Sequence, residues 1–277
     1  MARNYPPDHD PSRPTAPARR RARLSDQETE RRMLDTAVAM VHRDGLTVGL
    51  DHLGFEDVIR DAGVSRTAVY RRWPYKDLFF SDLLRELARG AAPASAPALE
   101  ITGEVLSEVL SSRSEDLASP QGRHDLVTEL LRVTAVSDFE AVHGSPEWRT
   151  YLALQATFLS LPEGDLRADV QAALARSERR FVDRVARGWE TVATALGYRL
   201  RPGTGGSFPL IATLACAAMR GLVLMSLSDP DLLTRRVPAN PTTASAASDW
   251  SLLGIAAASI AVTYLEPDPD VTWDDLA

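Results

Sequence analysis

The stretch GVSRTAVYRRWPYKDL, residues 63–78, decides how the chain is read. Just before it, Phe55, Val58, Ile59 and Ala62 recur at i, i+3, i+4 and i+7, the spacing of a short amphipathic helix, with Gly54 as its N-cap. Ala62, Gly63, Val64 and Ser65 then make a tight turn, in which Gly63 takes positive φ at little steric cost and Ser65 caps the next helix. That helix runs to Arg72, because Pro74 pushes Trp73 out of helical geometry. Two short helices joined through so tight a turn form a helix-turn-helix by spacing alone. On the second helix Arg66, Thr67, Tyr70 and Arg71 share one side, while Ala68 and Val69 turn inward. Guanidinium forks, a hydroxyl with a methyl group and a phenol are groups that read a major groove and grip phosphate.

Outward from this motif, Ser25 and Glu28 form a capping box, and a helix follows with Met33, Leu34, Ala37, Val38 and Val41 on one face, ending near Gly45. After Pro74 a fourth helix, from Tyr75 to Arg89, is expected to bury Leu78, Phe79, Leu83, Leu84 and Leu87. Residues 90–98 break the pattern and read as a linker. Beyond them only helical signals recur, over 99–117, 123–142, 146–160, 164–196, 208–228 and 248–265. Residues 203–207 and 230–247 read as loops, the second long, polar and mobile. No stretch argues for a strand, so the expected fold is all-α. Four segments result: an Arg- and Pro-rich tail over 1–23 expected to be disordered, a helix-turn-helix unit over 24–89, a larger helical domain over 99–265, and an acidic tail over 266–277 expected to fray.

Charge is unevenly spread. The chain carries −7 overall, but residues 1–89 sum to +2 and residues 90–277 to −9, and the first 23 residues hold six Arg against two Asp. A chain that binds an anionic polymer concentrates positive charge where it touches. The single cysteine, Cys216, excludes an intramolecular disulfide, and no Cys or His stands at metal-ligand spacing, so a reducing cytoplasm is expected and neither metal nor cofactor is called for. The apolar run from Phe208 to Leu227 contains Arg220 and is diluted by Ala, Thr, Ser and Gly, which favours a buried interface helix over a membrane span. Catalysis finds no support: there is no G-x-S-x-G, no H-E-x-x-H and no P-loop, and the glycines at 203–206 follow no predicted strand.

Residues 63–78 resemble the TetR family signature, matching G-V-S followed by x-x-x-(L/V)-Y-x-x-(F/W)-x-x-K through Lys76. The resemblance is close over 24–89 and architectural beyond. It implies a transcriptional regulator, a repressor released from double-stranded, inverted-repeat operator DNA by a small-molecule effector. Carried over by position, residues 65–72 become the recognition helix. Ser65 caps it, Tyr70 and Arg72 contact phosphate near its flanks, and Lys76 does so from the start of the fourth helix. Arg66, Thr67 and Arg71 are the candidates for base edges. Two departures stand out: the bulk at Thr67 and Ala68 is reversed relative to the family's usual small residue and Thr, and the segment 46–54 is longer than usual.

The family's larger domain binds the effector and dimerises through its last two long helices, which here are 208–228 and 248–265. A homodimer interface through Ala215, Ala218, Leu222 and Met225 of the first and Ile255 and Ala258 of the second is expected. Phe139, Trp148, Tyr151, Phe158 and Met219 are candidate effector contacts, with Phe181 and Trp189 also in the surrounding helices. The rival reading is a helical ligand-binding or partner protein whose helix-turn-helix no longer binds DNA. Retention of Tyr70, Arg71, Arg72 and Lys76 argues against it.

Overall fold

A computed structural model describes residues 24–44, 53–90, 107–108, 111–112 and 119–271. Helix α1 (Asp26–Asp44) starts where the Glu28 N–H donates to Ser25 Oγ at 3.1 Å. The Glu28 carboxylate does not return to the Ser25 backbone. It takes the guanidinium groups of Arg31 and Arg32 at 3.0 and 2.9 Å, so the capping box is half formed. Helices α2 (Phe55–Ala62), α3 (Arg66–Arg72) and α4 (Lys76–Gly90) complete the N-terminal unit. The tail 1–23 and most of the 46–54 segment lie outside the described residues. Of the helix expected over 99–117, only residues 107–108 and 111–112 are described, and these are helical.

The body is built from α5 (Pro120–Gly144), α6 (Pro146–Ser160), α7 (Asp165–Ala195), α8 (Phe208–Ser226) and α9 (Leu252–Tyr264). Serines at 119, 145, 207 and 251 cap four of these helices, each hydroxyl accepting the backbone N–H three residues on. The fold is all-α in class, with two small antiparallel pairs beside the helices. β1 (Tyr198–Leu200) pairs with β4 (Leu265–Pro267), and β2 (Arg236–Ala239) pairs with β3 (Ser248–Ser251). These strands correct the expectation of none. At three or four residues each they are too short to print an alternating pattern. The last helix accordingly begins at Leu252 rather than at 248.

The 230–247 segment is also more ordered than its polarity suggests. It holds a short 3-10 turn (Pro230–Leu233) and β2, and Thr242 is buried. Likewise Glu266, at the start of the acidic tail, is fixed by Arg199 at 3.0 Å.

The first core gathers Met33, Val41, Val58, Val69, Trp73 and Phe79, all fully buried. Leu78, expected inside, is 48% exposed, whereas Phe79 beside it is fully buried as expected. This core does not stop at the linker. It continues into Tyr151 and Leu154 of α6 and Val170, Ala173 and Leu174 of α7. Helix α7, 31 residues and therefore about 46 Å long, packs its first turns under the N-terminal unit and carries its last turns into the body.

Candidate functional site

Gly63 has φ of 62°, the left-handed turn that lets α3 leave α2 at an angle, and Ser65 Oγ accepts the Ala68 N–H at 3.3 Å to start α3. Val69 is fully buried and anchors the helix. Arg66, Thr67, Tyr70, Arg71, Arg72 and Lys76 are all exposed, on α3 and at the start of α4. Every residue proposed for DNA contact is therefore open to solvent.

The geometry adds acids that sequence reasoning missed. Glu56 on α2 receives Arg66 at 2.7 Å through one carboxylate oxygen and the Tyr70 hydroxyl at 2.8 Å through the other. That hydrogen bond is the main cause raising the Tyr70 phenol above its ordinary pKa. Arg71 pairs with Asp26 of α1. Arg72 binds Glu30 at 2.9 Å and Asp82 at 3.2 Å, and Asp82 also accepts the Trp73 indole N–H at 2.9 Å. The Tyr70 ring meets Phe55 edge-on at 5.8 Å, so its aromatic body is held while its hydroxyl reaches the surface. These carboxylates lie 10 to 45 positions away in sequence, and only the tertiary fold brings them in. Exposed ion pairs of this kind contribute little, about 0–1 kcal/mol each, so these arginines can exchange partners at small cost.

In the body, α5, α7, α8 and α9 enclose a cavity of about 740 Å³. Trp148 and Met219 line it, as do Phe181 and Trp189. Phe139, Tyr151 and Phe158 do not. Phe139 faces a separate small crevice with Leu222 and Leu233. Tyr151 is buried against the N-terminal unit's core with its hydroxyl donating to Glu178 at 2.7 Å. Phe158 packs on that same core under the Arg167 guanidinium, 4.5 Å from its ring. For Tyr151 and Phe158 the reason is one of direction: α6 aims both at the first half of α7, whereas the cavity opens along its second half.

Two polar clusters border the cavity. His124 holds both ring nitrogens in hydrogen bonds, one with the Tyr198 hydroxyl at 3.1 Å and one with the Thr242 carbonyl at 2.7 Å. Thr128 and Thr242 join their hydroxyls at 2.9 Å beside it, so α5 pins the 230–247 segment against the cavity wall. On the other side Arg220 meets both oxygens of Glu178 at 2.9 Å. Cys216 lies one turn before Arg220, and burial pushes its thiol up to about 11. A thiol so shifted stays protonated at neutral pH. Iodoacetamide at pH 8 is expected to alkylate Cys216 about a hundredfold more slowly than an unfolded control. Equal rates would mean the cavity wall is open at that point. Among the described residues no group of three or more His, Cys, Asp or Glu side chains could hold a metal ion.

The six residues expected at a dimer interface fall into two sets. Ala258 is fully buried within the chain and cannot meet a partner, because α9 turns that face onto the body. Ala218 and Leu222 pack partly against the core around Phe139, and Ala215 lines the cavity. Ile255 is half-buried and Met225 is 57% exposed. The uncovered apolar surface instead runs through Leu214, Leu224 and Met225 of α8 and Val262 of α9. Helix α8 is long and apolar enough to cross a membrane by length and composition, with 22% of it buried within the chain.

No family model and no curated protein matches the chain. Among solved structures it is similar to the reduced form of E. coli NemR at 16% identity, over 73% of this chain and 89% of that one, with a TM-score of 0.39. A likeness that weak carries nothing further.

Proposed function

We propose that the chain is a sequence-specific DNA-binding transcriptional regulator of the TetR type, a cytoplasmic repressor released from its operator by a small molecule. The observation that carries this reading is the helix-turn-helix itself: a left-handed Gly63, a capped α3, and Arg66, Thr67, Tyr70, Arg71 and Lys76 all exposed on α3 and at the start of α4. The cavity supports the effector part, since its volume lies in the range of small-molecule sites. Helix α7 is the physical link, because the same rigid rod touches the N-terminal core and lines the cavity. A network runs from it toward the recognition helix: Asp169 to Arg85 at 2.8 Å, Arg85 to Asp82 at 3.1 Å, and Asp82 to Arg72.

The test is binding of the full chain to a duplex from the region upstream of its own gene, with excess competitor DNA. Protection of an inverted repeat, with half-sites roughly 34–36 Å apart, is the expected footprint. One observation favours a second reading, a ligand-binding protein with a silent helix-turn-helix: Arg66, Arg71 and Arg72 are all answered by the protein's own carboxylates. Absence of binding to any duplex at low salt would decide for it.

The regulator reading requires a homodimer, and the uncovered stripe on α8 is its seat. Leu224→Glu with Met225→Glu is expected to give a folded monomer by light scattering. Ala258→Glu is expected to unfold the chain, because it buries a charge within the body. A double variant that remains dimeric would place the interface elsewhere.

A further inference from the structure

The cavity wall divides by chemistry. Much of it is apolar, with Leu130, Leu131, Trp148, Met219 and Leu253 among its residues. Among the described residues four arginines also line it, Arg184, Arg187, Arg201 and Arg220, against one acid, Asp138. Arg220 is neutralised by Glu178. Arg201 donates to the carbonyls of Val262 and Leu265, at 3.0 and 3.2 Å, and so is held at the end of α9 without meeting a carboxylate. Among the described residues Arg184 and Arg187 have no carboxylate partner either, although exposed arginines elsewhere on this chain commonly do. Arg184 and Arg220 both lie 5.7 Å from the Phe181 ring centroid. A guanidinium on an aromatic face keeps its edge N–H donors for another acceptor, and a planar carboxylate matches that fork.

We infer that the cavity takes an amphiphilic anion: an apolar body along the wall of Trp148 and Met219, ending in one carboxylate held by Arg184 and Arg187. This rests on reading the cavity as the effector site and names the class of effector. An apolar cation would meet a net positive lining, three arginines against Asp138, and a neutral analogue would leave their donors unused. An apolar molecule without a charged end fills the same wall but forgoes the charge-assisted hydrogen bonds.

The experiment uses the full chain without DNA and three probes that share one chain length: dodecanoate, dodecanol and dodecylamine, each below its micellar concentration and followed by calorimetry. Dodecanoate is expected to saturate and to bind at least about tenfold tighter than dodecanol, with the amine weakest. Arg184→Gln with Arg187→Gln is expected to erase that preference while dodecanol affinity holds, which also shows the variant folded. Equal affinities for the three probes, no dodecanoate binding, or a preference that survives the double variant would each overturn the inference. Because no DNA is present, the two readings fail separately. A chain that binds dodecanoate but no duplex sinks the regulator and spares this site, and one that binds operator without preferring the anion does the reverse.

Discussion

Replacing Arg66 or Arg71 with Ala is expected to weaken operator binding while leaving binding to a scrambled duplex nearly unchanged. Both side chains leave the exposed face of α3, and their ion partners, Glu56 and Asp26, sit on neighbouring helices rather than beneath them. In the proposed DNA complex these guanidinium groups would exchange a carboxylate for a base edge or a phosphate. A lost bidentate base contact costs roughly 1–3 kcal/mol, or about 5- to 150-fold in affinity. Lys76→Ala serves as the contrast. A phosphate contact positions the protein without reading sequence, so this variant should lose affinity equally on both duplexes.

Glu56→Gln adds a sign test. It frees Arg66 and Tyr70 from an internal competitor, so affinity for all DNA should rise rather than fall, more steeply at low salt. The measurement is competition binding at one salt concentration. If both arginine variants lose equally on both duplexes, specificity resides outside α3.

How much of this was legible beforehand depends on the range of the interactions. The helix-turn-helix was written locally, in Gly63, Ser65, Pro74 and the apolar spacing of Phe55, Val58 and Ile59, and all of these act within a turn or two of chain. The strands were not. A three-residue pairing such as Tyr198–Leu200 with Leu265–Pro267 joins segments more than sixty positions apart, and neither segment alternates long enough to announce itself. The α6 aromatics show the same limit. Phe158 and Tyr151 have the composition of pocket residues, but the orientation of α6 commits them to the core beneath the N-terminal unit. Ala258 and Met225 were indistinguishable by composition, yet one is sealed and the other is bare, because rotation about a helix axis is set by its neighbours. The arginine lining was not legible because only the fold brings Arg201, after β1, to the same cavity as Arg184 and Arg187 of α7.

Trp73→Ala is expected to cost about 3–5 kcal/mol of stability, in the range of large aromatic truncations in a sealed core. The indole is fully buried, stands edge-on to Phe79 at 5.1 Å, donates to Asp82 at 2.9 Å and carries the Arg72 guanidinium 5.1 Å from its ring. Removing it opens a cavity between α3 and α4 and takes from Asp82 the donor that orients it toward Arg72 and Arg85. Trp73→Phe keeps an aromatic ring but loses the N–H and part of the ring volume, so it should cost less than the alanine variant, about 1–2 kcal/mol for the lost hydrogen bond beyond the smaller cavity. Both are read by urea denaturation followed by circular dichroism. The form of the transition matters as much as its midpoint. The core around Trp73 runs on into Leu154, Val170 and Leu174, so the Trp73→Ala chain should lose its helical signal without an early, separate step for residues 24–90. An isolated low-urea transition would mean that the N-terminal unit melts on its own, and that α7 does not join it rigidly to the cavity. A cost below about 1 kcal/mol would mean that Trp73 is not the packing centre its burial implies.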